Sequence, residues 1–178
     1  MELIINVNKE NKQHSCCFIG HRHIDKSEEL KNKVYNIIEN LIVNGSVDTF
    51  LLGSRSEFND LCRNILCELK EKYPHIVRIY VRAEYPNISD NYKKYLLNWY
   101  DDTYYPERIV NAGKAVYVER NYEIIEKSSY CIVYYNESYA PPKRKNSKRD
   151  LIAYQPKSGT KTAYEYAVKK CRKVINVI

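Results

Sequence analysis

Ser15-Cys16-Cys17-Phe18-Ile19-Gly20-His21-Arg22-His23 is the stretch that decides the fold. A short apolar run stops at a glycine, and a polar cluster follows. No polar residue alternates within Cys16–Ile19, so the run reads as a strand buried on both faces. Helical spacing begins soon after. Leu30, Val34, Ile37, Ile38, Leu41 and Ile42 mark one face of a helix from about Ser27 to Asn44. Gly45 is placed to stop it as a left-handed C-cap.

The same unit recurs outward. Thr49-Phe50-Leu51-Leu52 reads as a second strand, closed by Gly53. Phe58, Leu61, Cys62, Ile65, Leu66 and Leu69 give a second helix that runs to Tyr73 and ends at Pro74. Ile76–Val81 is a third strand. Residues 82–114 are polar and aromatic, hold Trp99, and read as short helices in a lid-like insertion. A helix over Ala115–Lys127, with Val118, Tyr122 and Ile125 on one face, leads to a strand at Tyr130–Tyr135. Residues 136–157 form a loop with Pro141-Pro142 and the basic run Lys143–Arg149. A last helix, Ser158 to about Lys170, precedes a strand at Lys173–Ile178. Residues 1–13 read as a short leader or edge strand.

Strands alternating with helices predict parallel units with right-handed crossovers. The expectation is a three-layer α/β fold of Rossmann type. Its mostly parallel sheet would have about five to six strands, with helices on both faces. The chain has 178 residues, a length that suits one domain. No linker or internal repeat divides it.

Composition narrows the function classes. Hydrophobic residues make up 44% and charged residues 29%, as in a globular protein. No apolar run reaches the ~18–20 residues of a membrane helix, and the first residues do not read as a secretory signal. A cytoplasmic location without a membrane partner is the expectation. Six cysteines show no C-x-x-C pairing, so they read as reduced, buried thiols. His21-Arg22-His23 lacks thiol or carboxylate partners at ligand spacing, so no metal is expected. No resident cofactor is implied. The net charge of +7 favours phosphate-bearing partners.

Three of the five glycines stand where a ligand pocket needs them. Gly20 and Gly53 end the first two strands, and Gly159 opens the final helix. Glycine lets backbone N–H groups approach a ligand, and a helix N-terminus attracts phosphate. Sheets of this kind bind ligands outside the carboxyl ends of their strands. The neighbours extend the candidate set. His21 and Arg22 follow the first strand, and Arg22 suits a phosphate or carboxylate. Ser54 and Ser56 suit helix capping or ligand hydrogen bonds. Asp60 is placed to accept from a ribose or base. Arg120 and Asn121 stand in the fourth helix, where Arg120 fits either a ligand contact or an ion pair across the pocket. Lys157, Ser158, Gly159 and Thr160 form the best phosphate candidate, with Tyr154 as a base-stacking ring.

On these residues the chain resembles the YpsA-like branch of the SLOG superfamily. Cys17-Phe18-Ile19-Gly20-His21-Arg22 resembles that branch's C-F-x-G-H-R opening. Leu52-Gly53-Ser54 with Phe58 and Asp60, Glu119-Arg120-Asn121 with Ile125, and Ser158-Gly159-Thr160 with Ala163 and Ala167 follow in matching order, from about Ser15 to Ile178. The resemblance implies a Rossmann-like fold that binds nucleotides or their derivatives, and copies paired as a homodimer through helices flanking the pocket. Relatives include the Lonely Guy phosphoribohydrolases and the DprA single-strand DNA binders. The Lonely Guy enzymes carry P-G-G-x-G-T-x-x-E. Here the stretch is Pro156-Lys157-Ser158-Gly159-Thr160: Gly159 is kept, the double glycine is lost, and the catalytic glutamate falls at Ala163. Glu165 lies about 200° around a helix from it and is no simple substitute.

Three functions compete. The first is a binding module for a nucleotide-type small molecule, acting as sensor, carrier or sequestering protein. The second is an N-glycosidic or phosphoribosyl hydrolase, with Asp60, Glu57 and Arg120 as catalytic candidates in place of the missing acid. The third is single-stranded nucleic-acid binding, suggested by the basic run and the 18 tyrosines.

Overall fold

The structure is a computed structural model that describes residues 11–139, 158–171 and 173–178. Most of the expected leader and most of the basic loop, including Lys143–Arg149, Tyr154 and Lys157, lie outside the described residues.

Among the described residues six strands form one sheet in which every pairing is parallel: β1 (Ser15–Gly20), β2 (Thr49–Leu52), β3 (Val77–Val81), β4 (Asp102–Tyr104), β5 (Tyr130–Tyr134) and β6 (Lys173–Asn176). Their spatial order is β4-β3-β2-β1-β5-β6. The helices are α1 (Glu28–Val43), α2 (Glu57–Lys72), α3 (Asp90–Leu97), α4 (Val116–Glu126) and α5 (Gly159–Lys170). Three helices begin at a serine cap expected from the sequence or its logic. Ser27, Ser56 and Ser158 each accept a hydrogen bond from the third residue on, which satisfies one N–H that the helix start leaves open.

Two apolar clusters show the three layers. Cys16, Phe18, Phe50, Leu52 and Tyr80 face α1 and α2, with Leu96 and Tyr100 from the α3 region. Cys17, Ile19, Leu51, Ile79 and Val81 face Ile124 and Ile125 of α4 and Ala163 and Ala167 of α5. Alternate strand residues thus feed opposite cores, as a sheet covered on both faces requires. The chain turns to one face after β1 and to the other after β5, so the order reverses between these two strands. That is the topological switch point.

The structure adds to the sequence reading in one place and differs from it in two. Residues 82–114 hold more than the expected short helices. They carry α3 and the edge strand β4, whose Asp102, Thr103 and Tyr104 pair with Ile79, Tyr80 and Val81. Gly45 is not left-handed: its N–H bonds the Leu41 carbonyl at 3.0 Å, and the positive φ falls on Ser46, at 52°. In α4 the buried stripe is Arg120, Ile124 and Ile125, whereas Val118 and Tyr122 are half-buried. A charged residue holds the inward position that the apolar pattern assigned to its neighbours.

Candidate functional site

The carboxyl edge of the sheet gathers the expected residues, but it sorts them into three places. The first is the switch point. His21 follows β1 and is buried. Its ring stacks on Tyr139 with centroids 4.0 Å apart and also meets Tyr134 and Tyr135. His21 Nε2 lies 2.9 Å from the Asn136 N–H and 3.2 Å from the Asn136 carbonyl oxygen, so it accepts from the first when unprotonated and donates to the second when it carries the proton. Nδ1 is buried and finds no partner. Burial pushes the His21 pKa down, against a smaller upward pull from the Asn136 backbone. Thr160 Oγ1 donates to the Gly20 carbonyl at 3.1 Å, so the start of α5 sits against the end of β1. Ser158 caps α5 through the Lys161 N–H. Gly159 is exposed, and a Cβ placed on it would meet nothing within 4 Å. The described chain leaves this helix start open.

The second place lies at the ends of β2 and β3. Arg120 is buried, and its Nη1 donates to the carbonyls of Gly53 and Val81, the latter at 3.1 Å. Asn121 Oδ1 accepts from Arg120 Nε at 3.0 Å. Arg120 therefore ties two strand ends together, with Asn121 orienting it. Desolvation lowers its pKa. The glycines here answer to packing. A Cβ on Gly53 would lie 2.7 Å from Arg120 Nη1 and from the Val81 oxygen, and one on Gly20 would lie 2.4 Å from Phe58 Cδ1.

The third place is an open cleft of about 430 Å³ between the start of α2 and α3. Arg22, Ser54, Ser56, Glu57 and Asp60 line it, and the sequence had marked all five. Their roles differ. Ser56 is buried and accepts from the Asn59 N–H and Nδ2. The Glu57 N–H donates to the Arg22 carbonyl at 2.9 Å. Glu57 Oε2 accepts from the Ile24 N–H at 3.0 Å, and Oε1 pairs with Lys26 at 2.8 Å. The Lys26 ammonium first, then the Ile24 N–H, hold the Glu57 carboxyl below its ordinary range. Glu57 is thus a clamp on the β1–α1 loop. Asp60 is exposed and pairs with Arg63 at 3.2 Å. Arg22 is exposed and has no carboxylate partner among the described residues.

Sequence reasoning missed the far wall. Tyr92, Tyr95 and Trp99, from α3 and the turn after it, line the cleft together with Arg55 and Arg63. Tyr92 and Tyr95 stack at 6.2 Å. Arg63 lies over the Trp99 ring at 5.0 Å, and Arg55 pairs with Glu84 at 3.2 Å. The signal was the aromatic crowding of Tyr92–Tyr100, which helix periodicity alone does not direct toward α2.

Among the described residues no three His, Cys, Asp or Glu side chains are grouped to hold a metal ion. None of the described helices is long and apolar enough to cross a membrane. The layers and strand order define a Rossmann-like α/β protein. No model of a known protein family matches the chain, and no curated protein matches it.

Proposed function

We propose that the chain is a binding module of the YpsA-like SLOG type that holds a nucleotide or nucleotide-derived small molecule at the carboxyl edge of its sheet. The observation that carries this reading is one cleft that joins Arg22, an arginine without a carboxylate partner among the described residues, to a wall of aromatic rings. The volume, about 430 Å³, suits a small-molecule ligand. The first turn of α2 already commits the N–H groups of Glu57 and Asn59 to Arg22 and Ser56. Phosphate recognition therefore falls to the Arg22 guanidinium, with Ser54 beside it. Tyr95 and Trp99, 58% and 39% exposed, offer ring surface on which a base stacks. Native mass spectrometry of protein purified from cells tests the reading. A nucleotide-sized mass should accompany the wild type and be lost from a folded Arg22→Ala variant. Absence of such a mass, together with no binding of added mono- or dinucleotides, contradicts it.

A hydrolase of the Lonely Guy type is the second reading, favoured by the exposed Asp60 carboxylate in the same cleft. Glu57 is held by the loop, and Ala163, where the family glutamate would stand, is in the core. Hydrolysis would release free base from a nucleoside monophosphate, and Asp60→Asn would stop it. Intact nucleotide after incubation with wild-type protein leaves binding alone.

A further inference from the structure

We infer that the outer edge of β6 docks an acidic, extended peptide segment of a partner protein, which adds to the sheet as a further strand. In the order β4-β3-β2-β1-β5-β6 this edge lies at the opposite end from β4. The site is therefore separate from the cleft beside α3.

The backbone carries the first part of the argument. The Lys173 N–H donates to the Ser129 carbonyl at 3.1 Å, and the Val177 N–H donates to the Val133 carbonyl at 2.9 Å. The parallel register pairs Lys173 with Tyr130 and Val174 with Cys131. Lys173, Ile175 and Val177 thus turn their backbone groups toward β5. The N–H and C=O groups of Val174 and Asn176, which alternate with them, point away from the sheet. Among the described residues no strand pairs with that side. Open donors and acceptors in a row are a template for strand addition. The edge is also held in place before any partner arrives. Asn176 Oδ1 accepts from the Tyr135 N–H at 3.2 Å, and its Nδ2 donates to the Tyr135 carbonyl at 2.9 Å.

The side chains select the occupant. Val174 packs against the cluster under α4 and α5. It lines a surface depression of about 300 Å³ with Tyr164, Val168, Cys171 and Asn176. An added strand would cover this apolar surface with every second side chain. Lys169 and Lys170 close the last turn of α5, and Lys173 opens β6. All three are exposed, and none pairs with a carboxylate among the described residues. Lysines on an edge repel a second copy of that edge, because like charges would meet across the pair. The same charges attract a strand that carries carboxylates. A segment with acidic and apolar residues in alternation answers both the lysines and the depression.

Two measurements on the full-length chain test this. In the free protein, amide hydrogen exchange followed by NMR should be fast at Val174 and Asn176 and slow at Ile175 and Val177. Protection of Val174 and Asn176 without a partner would mean that the chain itself or a second copy covers the edge, and would overturn the proposal. The second measurement uses a fluorescein-labelled peptide of alternating glutamate and valine as the probe. It should protect the Val174 and Asn176 amides and bind about tenfold more tightly than a peptide of alternating lysine and valine. Val174→Pro removes an outward N–H and leaves the bonds to β5 in place, so it should abolish binding in a folded protein. Lys169→Glu combined with Lys173→Glu, both at exposed positions, should keep the fold and weaken binding about tenfold. Equal binding of the two peptides, binding that leaves both amides exchanging freely, or no binding of the acidic peptide overturns the assignment.

Discussion

A methyl group on Gly20 would come within 2.4 Å of Phe58 Cδ1 and 2.5 Å of its Cβ. Phe58 is fully buried at the start of α2, so it has no free rotamer into which to retreat. Gly20→Ala should therefore destabilise the fold by about 1–3 kcal/mol, as overpacking does, measured by urea denaturation. An unchanged midpoint would mean that Phe58 moves freely. The sequence placed Gly20 at the right strand end but read it as space for a ligand. The steric reason was out of view because Phe58 stands 38 residues along the chain. His21 offers a second test at this scale. Its pKa lies below the ordinary 6.5 because the ring is buried. The unfolded chain therefore takes up a proton before the native state does. Stability is complete above about pH 6.5 and falls as the pH drops from there toward the lower native value. Urea midpoints at about pH 7.5 and about pH 5.5 should differ in the wild type, and His21→Gln should shrink that difference. A difference that survives the substitution would assign the pH dependence to other groups.

At the scale of elements, Arg120 joins α4 to the ends of β2 and β3. One of its nitrogens serves two backbone carbonyls. Arg120→Met keeps the packing stem and removes the donor, which leaves Gly53 and Val81 with buried, unanswered oxygens. The expected loss is about 2 kcal/mol, read from chemical denaturation. A neutral result would mean that water replaces the guanidinium. The sequence allowed Arg120 either a ligand or an ion-pair role. It could not point to carbonyls, because backbone acceptors carry no residue signature. Most elements were legible because each pairs a run of apolar residues with a cap or a breaker. Ser27 and Ser56 precede the helices they cap, and Pro74 follows the second helix it was expected to end. The strand β4 was not legible. It is three residues long, and only Thr103 of the three is buried. Its identity comes from pairing with β3, an interaction that no local pattern records.

For the whole molecule, the strand order puts the loop after β1, the start of α2 and the aromatic α3 region on one side of the carboxyl edge. The polar half of the cleft was readable as Arg22, Ser54, Ser56 and Asp60, because each follows a strand end closely, in the turn or in the first turn of the next helix. The aromatic half was not, because its approach to α2 depends on β4 drawing α3 across that face. The chain's single tryptophan, Trp99, lines this cleft, so its fluorescence reports the site directly. The most direct measurement is a titration of the full-length protein with nucleoside mono- and diphosphates, following Trp99 emission alongside calorimetry. The account predicts saturable quenching that coincides with the heat of binding and disappears in Arg22→Ala. Nucleotide binding that leaves Trp99 emission unchanged, or no binding by either readout, would contradict it.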